Sequence, residues 1–340
     1  MQAPPRELKM SYSLNLRAGE MVEVRSKEEI LATLDKKGHL DALPFMPEML
    51  KYCGQRFKVY KRADKTCDTI TGSHQSRRMM DTVHLEGLRC DGEAHGGCQA
   101  LCLLFWKEAW LKRVRPEEKA GDASDAPIRT TSVCTEADLF SATRKEADPG
   151  SPEHETFSCQ ATELIKATSP LAWWDPRQYI REIKSGNVGL LRFIRVVAIG
   201  IFNTIQRYRG GRTYPSVHPG TLTKTPTVTL NLQPGELIQI KTRDEVIATL
   251  DQKQRNRGLW FDIEMVNYCG GQFKVAKRVE QIVDEKTGKM IKLPSDCIIL
   301  ENVICRGELS TNRLFCPRSL YPFWREIWLK RVDSSGEMKN

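Results

Sequence analysis

The sequence lacks the short motifs that mark common catalytic and nucleotide-binding sites. It contains no P-loop, no G-x-G-x-x-G fingerprint, and no serine, histidine and aspartate in the order of a hydrolase triad. Two adjacent carboxylates, Glu28 and Glu29, lie in a short stretch with helical signals, where a solvent-facing position accounts for them. These absences favour a binding protein over an enzyme, and we assign no catalytic residue.

Long apolar segments are also missing. The apolar run at residues 196–202 is far shorter than the roughly 20 residues that a membrane-spanning helix needs. The first residues, MQAPPRELKMSYSLNL, show neither the apolar core nor the cleavage pattern of a secretory signal. We therefore expect a cytoplasmic protein without a transmembrane segment, and a peripheral position at the inner membrane face is compatible with that expectation.

The composition is that of a globular protein, with 40% hydrophobic and 28% charged residues. The formal net charge is +9 over 340 residues. A basic balance of this size permits an anionic membrane surface, an acidic protein or a nucleic acid as partner, and does not choose among them.

The chain contains the same module twice. Residues 14–62 (LNLRAGEMVEVRSKEEILATLD…YCGQRFKVYKR) return as residues 230–278 (LNLQPGELIQIKTRDEVIATLD…YCGGQFKVAKR), at a constant offset of 216. The closing segments, FWKEAWLKRV at 105–114 and FWREIWLKRV at 323–332, are offset by 218. A repeat of this clarity predicts two copies of one fold.

Each module has the pattern of several short strands. Ser26 and Glu29 have the spacing of a capping box that opens a short helix, and the second copy repeats it. Apolar and polar residues alternate on either side, as in MVEV at 21–24 and RFKVYKR at 56–62. Short strands separated by glycine-bearing turns predict a mainly β fold with added helices, as a small barrel or a partly open sheet.

The module resembles the SH3-like barrels. The shared features are a glycine-led first strand, a long irregular first connection, and a Tyr-x-Gly-x-x-Phe-x-Val second strand made by Tyr52, Gly54, Phe57 and Val59. The closest resemblance is to the SH3-like domain of the nitrile hydratase β subunit, and it covers each module but not the centre of the chain. It implies two SH3-like modules in tandem. The added helix and the many cysteines depart from that family, and no catalytic residue carries over.

The repeat and the composition between its copies divide the chain into four parts. Module 1 spans residues 14–115 and carries a cysteine-rich loop. Residues 116–156 have the polar, Pro-, Gly- and Asp-containing composition of a flexible linker. Residues 157–225 form a helical connector with a basic amphipathic helix, and module 2 spans residues 230–333.

Four arginines flank the apolar run in the connector: Arg192, Arg195, Arg207 and Arg209. One interpretation is an interfacial helix whose arginines meet lipid phosphates while its apolar side chains dip below them. The other is a helix packed on the modules, with arginines extending along its edges or contacting a partner. The sequence leaves both interpretations open.

The cysteines of module 1 form a candidate metal site. Eleven cysteines in a cytoplasmic chain indicate metal ligands or buried thiols rather than disulfides. The string CDGEAHGGCQALC brings Cys90, Cys98 and Cys102 close in sequence, and Cys67 and His95 are the further candidate ligands. If a helix opens at Cys98, it and Cys102 share one face. Soft thiolates suit zinc or an iron–sulfur cluster, and plain buried thiols are the alternative.

Module 2 repeats only part of this set. Cys305 matches Cys90 and Cys316 matches Cys98, whereas Leu320 stands at the position of Cys102. Cys297 has no counterpart of its own type in module 1. Cys297, Cys305 and Cys316 are therefore a possible second metal site.

Three classes of function remain. The first is a metal-binding adaptor or scaffold whose modules engage a protein or peptide partner, with the membrane surface as a second contact. Another is a zinc or iron–sulfur metalloenzyme or electron-transfer subunit that uses the module 1 cysteines. A third, nucleic-acid binding, ranks last because lysines and arginines alternate with acids in both modules.

Overall fold

A computed structural model describes residues 13–73, 75–114, 134–145 and 155–332. The fold is mainly β, with several antiparallel sheets. Within the described residues, the strands in chain order are β1 Met21–Val24, β2 His39–Leu40, β3 Leu43–Pro44, β4 Arg56–Arg62, β5 Lys65–Cys67, β6 Ser76–Arg78, β7 Thr82–Leu85, β8 Trp106–Lys107, β9 Leu111–Arg113, β10 Arg144–Lys145, β11 Thr156–Phe157, β12 Ser169–Pro170, β13 Leu237–Ile240, β14 Arg255–Asn256, β15 Leu259–Trp260, β16 Gln272–Val283, β17 Met290–Leu300, β18 Trp324–Arg325 and β19 Leu329–Arg331.

The helices are short except for one in the connector. In chain order they are α1 Lys27–Leu31, α2 Glu136–Ala142, α3 Pro176–Lys184, α4 Leu190–Arg209 and α5 Arg243–Ile247. The capping box expected at α1 is present: the Ser26 hydroxyl accepts the Glu29 N–H, and the Glu29 carboxylate accepts the Ser26 N–H. The same reciprocal pair opens α5.

The two copies build sheets with the same strand order. The first runs β8-β7-β4-β1-β9 and the second runs β18-β17-β16-β13-β19. Their registers agree as well, since Val22 lies opposite Phe57 and Ile238 lies opposite Phe273. In the part of the chain that the structure describes, neither sheet closes into a barrel, because the edge strands have only two or three residues and do not pair with each other. The mainly β prediction is confirmed, whereas the expected small closed barrels are not found among the described residues, and the SH3-like character of the modules stays a prediction.

Each sheet covers a core centred on a buried tryptophan. In module 1 the Trp110 indole N–H donates to the Thr33 hydroxyl at 3.1 Å, and Phe45 meets the indole edge-on. Trp328 and Thr249 repeat the hydrogen bond in module 2 at 2.8 Å. A buried indole needs a partner for its N–H, so the repeated threonine explains how the closing motif packs.

A buried glutamate ties the first residues of each module to its last strand. The Glu108 carboxylate accepts the Leu16 N–H at 2.8 Å and pairs with Arg62 at 2.6 Å. Glu326 makes the equivalent contacts in module 2. A buried carboxylate needs a cation and hydrogen-bond donors around it, and both copies supply them from the same positions.

The connector packs on both modules. Leu139 of α2 is buried, and the first turn of α3 is capped by Asp175, whose side chain accepts the Arg177 N–H at 3.0 Å. Most of the proposed linker, residues 116–156, lies outside the described residues. The part that is described includes α2 and strand β10.

Candidate functional site

The chemistry-bearing side chains gather where the two modules meet. The hairpin of β5 and β6 extends from module 1 onto module 2, where the Arg318 guanidinium donates to the Cys67 carbonyl. On the other side, the cysteine-rich loop of module 1 lies against β16, and the Cys98 sulfur accepts the Val283 N–H at 3.3 Å. The predicted cysteines therefore fall into two cavities at this interface.

A buried Glu48–Cys90–His95 triad could hold a metal ion. One ligand atom from each of these residues lies within 4.8 Å of the other two. His95 Nδ1 is 2.6 Å from Glu48 Oε1, and the Cys90 thiol donates to the same oxygen at 3.8 Å. Cys90 and His95 were expected at a metal site, whereas Glu48 was not.

The local sequence explains how the triad forms. A 3-10 turn at Pro47–Tyr52 directs Glu48 inward, and a second one at Glu93–His95 presents the imidazole. Gly92 precedes this turn with φ +79°, and a Cβ there would lie 2.0 Å from the Cys98 carbonyl oxygen. Only glycine accepts both the positive φ and the close approach.

The hydrogen bonds of His95 are compatible with metal binding through Nδ1. Nε2 lies 3.0 Å from the Ser158 carbonyl, which can only accept, so Nε2 carries a proton. Nδ1 then faces Glu48, and the second carboxylate oxygen, Oε2, is buried without a hydrogen-bond partner. Metal-ligating histidines commonly donate their other N–H to a backbone carbonyl. A metal ion at Nδ1 would replace the hydrogen bond that now joins the imidazole to the carboxylate.

Module 2 shows what the glutamate does without the histidine. Glu264 matches Glu48, and its carboxylate accepts the N–H groups of Glu308, Leu309 and Ser310 at 2.8–2.9 Å. The carboxylate thus caps the cysteine loop in both copies. In module 1 the one described backbone N–H that donates to it is that of Ala94 at 3.2 Å, and the Cys90 thiol and the His95 ring contact the same oxygen. Glu48 could have been found from the repeat, because a glutamate recurs here at the offset of 216.

Four cysteines line one cavity of about 50 Å³ beside the triad: Cys90, Cys98, Cys102 and Cys159. The first three are in the predicted set. Cys159 was not among the predicted ligands, because it comes from the connector and lies outside the repeat. Cys98 and Cys102 do not share a helix as expected, since this segment is extended and Leu101 has φ +50°. Both residues nevertheless line the same cavity.

Three thiols of this cavity, those of Cys90, Cys102 and Cys159, have a raised pKa and are protonated at neutral pH in the absence of a metal. Burial raises the pKa of Cys102 to about 12 and that of Cys159 to about 11. Burial raises the pKa of Cys90 as well, and the nearby Glu48 carboxylate adds to the effect. A thiol must lose its proton to bind a metal, so binding here would release protons.

Cys67 lies in the other cavity. Together with Cys305 and Cys316 it lines a space of about 270 Å³. The Cys67 thiol is hydrogen-bonded to Cys316, which raises the pKa of Cys67 and lowers that of Cys316. The predicted grouping of Cys67 with the module 1 loop is therefore wrong, because its hairpin packs on module 2.

Cys297 is separate from both cavities. It lies in a cluster with Val279 and Ile299, and its sulfur accepts from the Arg325 guanidinium at 3.2 Å. Of the possible second metal site, the structure brings together Cys305 and Cys316 but not Cys297. Cys297 is fully buried in a cluster against which Leu259 and Phe323 pack, and these two residues, rather than Cys297, line the cavity.

The four connector arginines divide into two pairs. Arg192 forms an ion pair with Glu308 at 2.7 Å, and Arg207 donates to the Thr311 hydroxyl at 2.6 Å. Arg195 and Arg209 are exposed. Arg207 is exposed as well, but it and Arg192 are engaged by module 2, whereas Arg195 and Arg209 lie beside the exposed apolar residues of α4.

Comparison with known proteins finds no matching family model, no matching curated protein and no matching solved structure. Across the described residues, no helix combines the length and the apolar character needed to cross a membrane.

Proposed function

We propose that this chain is a metal-binding adaptor that docks on an anionic membrane surface through α4. Its two modules, which resemble SH3-like domains, then remain free to engage a protein or peptide partner. The observation that carries the proposal is the apolar side that α4 turns to solvent.

Most large apolar side chains of α4 are exposed. Leu191 is 85% exposed and Tyr208 is 86% exposed. Other members of the same face are Leu190, Ile194, Ile201, Phe202 and Ile205. A helix of 20 residues is about 30 Å long. Each of these side chains gains about 1.5–3 kcal/mol when it leaves water completely, which gives a strong drive for docking.

The charge around α4 favours an anionic surface. Residues 183–235 contain no aspartate or glutamate and seven lysines or arginines. A basic residue near an anionic membrane contributes about 1 kcal/mol of attraction. Arg195 and Arg209 supply this charge on the exposed side. An acid-free stretch of this length distinguishes the connector from both modules, where the two signs alternate.

Exposed aromatic residues lie beside the helix. Trp174 is 70% exposed, and Trp173 next to it is also exposed. Both line a groove of about 420 Å³ between the start of α3 and one side of α4. Tryptophan and tyrosine prefer the boundary between lipid headgroups and acyl chains, so this position suits a membrane-facing surface.

The opposite side of α4 fixes its orientation. Phe193 stacks on Phe315 with ring centroids 5.3 Å apart, and Gly200 lies close to Leu314. Asn203 is buried, with its amide joined to the Tyr214 N–H and carbonyl. The side of α4 that contains Gly200 and Asn203 therefore packs on the protein. The exposed apolar side can contact a membrane without rearrangement of the helix.

The occupant we propose is lipid rather than a partner protein. The most exposed side chains, Leu191 and Tyr208, project outward near the two ends of the helix. A projecting apolar ridge with basic edges fits a deformable anionic surface, whereas a protein partner would have to supply a long matching groove. Binding to a protein in place of vesicles is the outcome that would replace this proposal.

Flotation with lipid vesicles tests the apolar side. Vesicles of phosphatidylcholine with phosphatidylserine are mixed with the full chain or with the variant Ile194→Ser, Ile201→Ser. We expect the variant to bind at least about tenfold more weakly, since each change removes more than about 1.4 kcal/mol of apolar burial. The matched control is Val228→Ser, Ile291→Ser, which changes two exposed apolar residues outside α4. Equal flotation of test and control variants would refute the proposal.

Charge reversal tests the basic edge. The variant Arg195→Glu, Arg209→Glu should lose binding to phosphatidylserine vesicles, and the difference should shrink as salt is added. Lys58→Glu, Lys274→Glu is the control, because these exposed lysines occupy equivalent positions on β4 and β16. If reversal instead abolished a salt-sensitive binding to nucleic acid and left flotation intact, the nucleic-acid alternative would replace the membrane.

A second candidate function is a zinc or iron–sulfur protein active in catalysis or electron transfer. The Glu48–Cys90–His95 triad favours it, because these are ligand types that zinc accepts. The test is elemental analysis with a visible spectrum on anaerobically purified chain, alone and with His95→Asn. A metal content that the histidine change leaves intact would remove the triad from this function.

A further inference from the structure

We propose that Cys90, Cys98, Cys102 and Cys159 hold a polynuclear metal centre of the iron–sulfur class in the cavity between the modules. The inference deepens the metal-binding part of the proposed function and rests on it. It is independent of membrane docking, which α4 provides on another surface.

The four thiols reach the cavity from two separate segments. Cys90 and Cys102 are held together by the chain itself, since the Cys90 N–H donates to the Cys102 carbonyl at 2.9 Å. Cys159 is positioned by its neighbour Gln160. That side chain accepts the Phe105 N–H at 2.8 Å and donates to the Phe105 carbonyl at 2.9 Å. The connector is thereby fixed to the chain that follows Cys102, and the fourth thiol stays at the cavity.

The spacing of the sulfur atoms favours a multi-atom centre over a single zinc ion. A zinc ion with four thiolates needs sulfur atoms about 3.8 Å apart, because Zn–S bonds are about 2.3 Å and tetrahedral. Among the described residues, the one set of three ligand atoms within 4.8 Å of one another is Glu48, Cys90 and His95. No three of the four sulfur atoms approach so closely. A group that bridges wider gaps is required to contact all four.

The size of the cavity is consistent with a centre larger than a single atom. Its volume of about 50 Å³ exceeds the roughly 10–15 Å³ that a cavity needs to hold a single water. The wall is mostly apolar, with Met46 and Phe105 among the lining residues. Both modules contribute to it, since Val283 and Arg318 come from the second. The four cysteines themselves are half-buried, so a centre bound here would be partly covered by both modules.

The charges around the cavity suit an anionic cluster. Four thiolates and a cluster carry net negative charge, and the buried Arg318 guanidinium lines the cavity. Arg318 also pairs with Glu285 at 3.1 Å, so part of its charge is already balanced. The Val283 N–H donates to the Cys98 sulfur, a contact of the kind that tunes thiolates bound to iron. The protons released from the thiols pass to solvent as sulfur–iron bonds form.

The second copy provides an internal contrast. Leu320 occupies the position of Cys102, and the connector contributes a cysteine only to the first cavity. Module 2 thus closes the cavity and lacks the complete thiol set. Its own sequence also shows that leucine is compatible with the fold at this position.

The test uses the full chain, purified anaerobically and reconstituted with a mixture of ferric and ferrous iron and with sulfide, so that no further oxidant is needed. We expect iron and acid-labile sulfide in equal amounts and a visible absorption that dithionite bleaches. Cys159→Ser should lose the absorption and most of the iron. Cys134→Ser should retain both, because that buried cysteine, from the segment before the connector, lies outside the cavity. Cys102→Leu should lose the cluster while keeping the fold, since it introduces the residue that module 2 carries.

Three results would overturn the inference. A colourless protein with one zinc per chain would replace the cluster by a mononuclear site. Reconstituted protein without iron would exclude a centre of this class. Equal iron in Cys159→Ser and Cys134→Ser would remove Cys159 from the ligand set. Urea unfolding of each variant, followed by tryptophan fluorescence, reports a folded chain, and vesicle flotation measured in parallel separates failure of this inference from failure of membrane docking.

Discussion

The Cys98 sulfur of module 1 accepts a hydrogen bond at 3.3 Å from the backbone N–H of Val283 in module 2. Two glutamines extend this contact. The Gln99 side-chain oxygen accepts the Glu280 N–H at 2.6 Å, and the Gln281 side chain donates to the Gly96 carbonyl at 3.0 Å. The cysteine-rich loop is therefore held to β16 by bonds from both sides, and its conformation depends on the second module.

Gln281→Ala is expected to loosen the cysteine-rich loop. The change removes the side-chain donor to the Gly96 carbonyl, which is worth about 1 kcal/mol. Backbone amides of residues 96–99 should exchange hydrogen several-fold faster, as measured by mass spectrometry. Gln239→Ala is the matched control, since that side chain donates to the Gly270 carbonyl within module 2. Unchanged exchange in the loop would show that the glutamine does not hold it.

His84 is expected to make folding sensitive to acid. It is fully buried, Nδ1 lies 2.8 Å from the Leu104 carbonyl, and Nε2 has no partner. Burial lowers the pKa of His84 to about 3, and nearby cations such as Lys61 lower it further. The unfolded chain takes up this proton below about pH 6.5 and the folded chain does not, so stability is full above that pH. It is lost progressively as the pH falls towards the folded pKa.

His84→Ile isolates this contribution. Module 2 carries Ile299 at the matching position, so the replacement suits the strand. Between about pH 7.5 and pH 5, the wild-type chain should lose about 2 kcal/mol more unfolding free energy than the variant. Urea unfolding at each pH measures the difference, and the slope with pH is the readout rather than the absolute stability. Parallel slopes for the two proteins would contradict the expectation.

The helices and strands were predictable where they depend on sequence patterns of a few residues. The Ser26 capping box and the matching strands follow from spacings within a few residues, and the repeat transfers them to module 2. The cysteine groupings depend on how distant segments pack. Cys67 follows β4 closely in sequence, yet its hairpin packs on module 2, and Cys159 enters the first cavity from the connector. No local pattern encodes either contact.

The sequence also could not predict which side of α4 packs on the protein and which side faces solvent. Its apolar residues are spread around the helix, so periodicity alone does not say which side is covered. Phe315 and Leu314 of module 2 pack against Phe193 and Gly200, and these contacts determine which side of α4 is covered. The sequence could name the arginines, but only this packing decides that Arg195 and Arg209 face solvent.

The buried glutamates of the two copies are expected to contribute equally to stability. Glu108 pairs with Arg62, and Glu326 pairs with Arg278. Arg62 keeps a second ion pair with Asp64 at 2.7 Å. Glu108→Gln or Glu326→Gln removes the buried charge that accepts the Leu16 or Leu232 N–H and pairs with the arginine, which should cost about 2 kcal/mol. The change is read from the urea midpoint of tryptophan fluorescence. The control is Glu136→Gln, whose partner Lys27 is largely exposed and whose ion pair is worth less than about 1 kcal/mol. A cost as small as that of the control would contradict the prediction.

The Cys67–Cys316 pair is expected to oxidise to a disulfide between the modules. The two sulfur atoms are hydrogen-bonded, and the bond lowers the pKa of Cys316, which makes it the better nucleophile. Both line the larger cavity, which a small oxidant can enter. With diamide, the two thiols give up two protons and two electrons to the N=N bond, a sulfur–sulfur bond forms, and the diamide becomes a hydrazine.

Mass spectrometry of proteolytic fragments measures this cross-link, which joins a peptide of module 1 to one of module 2. Cys316→Ser should abolish it, and Cys297→Ser should leave it unchanged, because Cys297 is buried away from the cavity. Oxidised protein should also unfold at higher urea than reduced protein, since a link between residues so distant in sequence restricts the unfolded chain. A cross-link that instead involves Cys305 would show that this third thiol of the cavity, rather than Cys67, is the partner of Cys316.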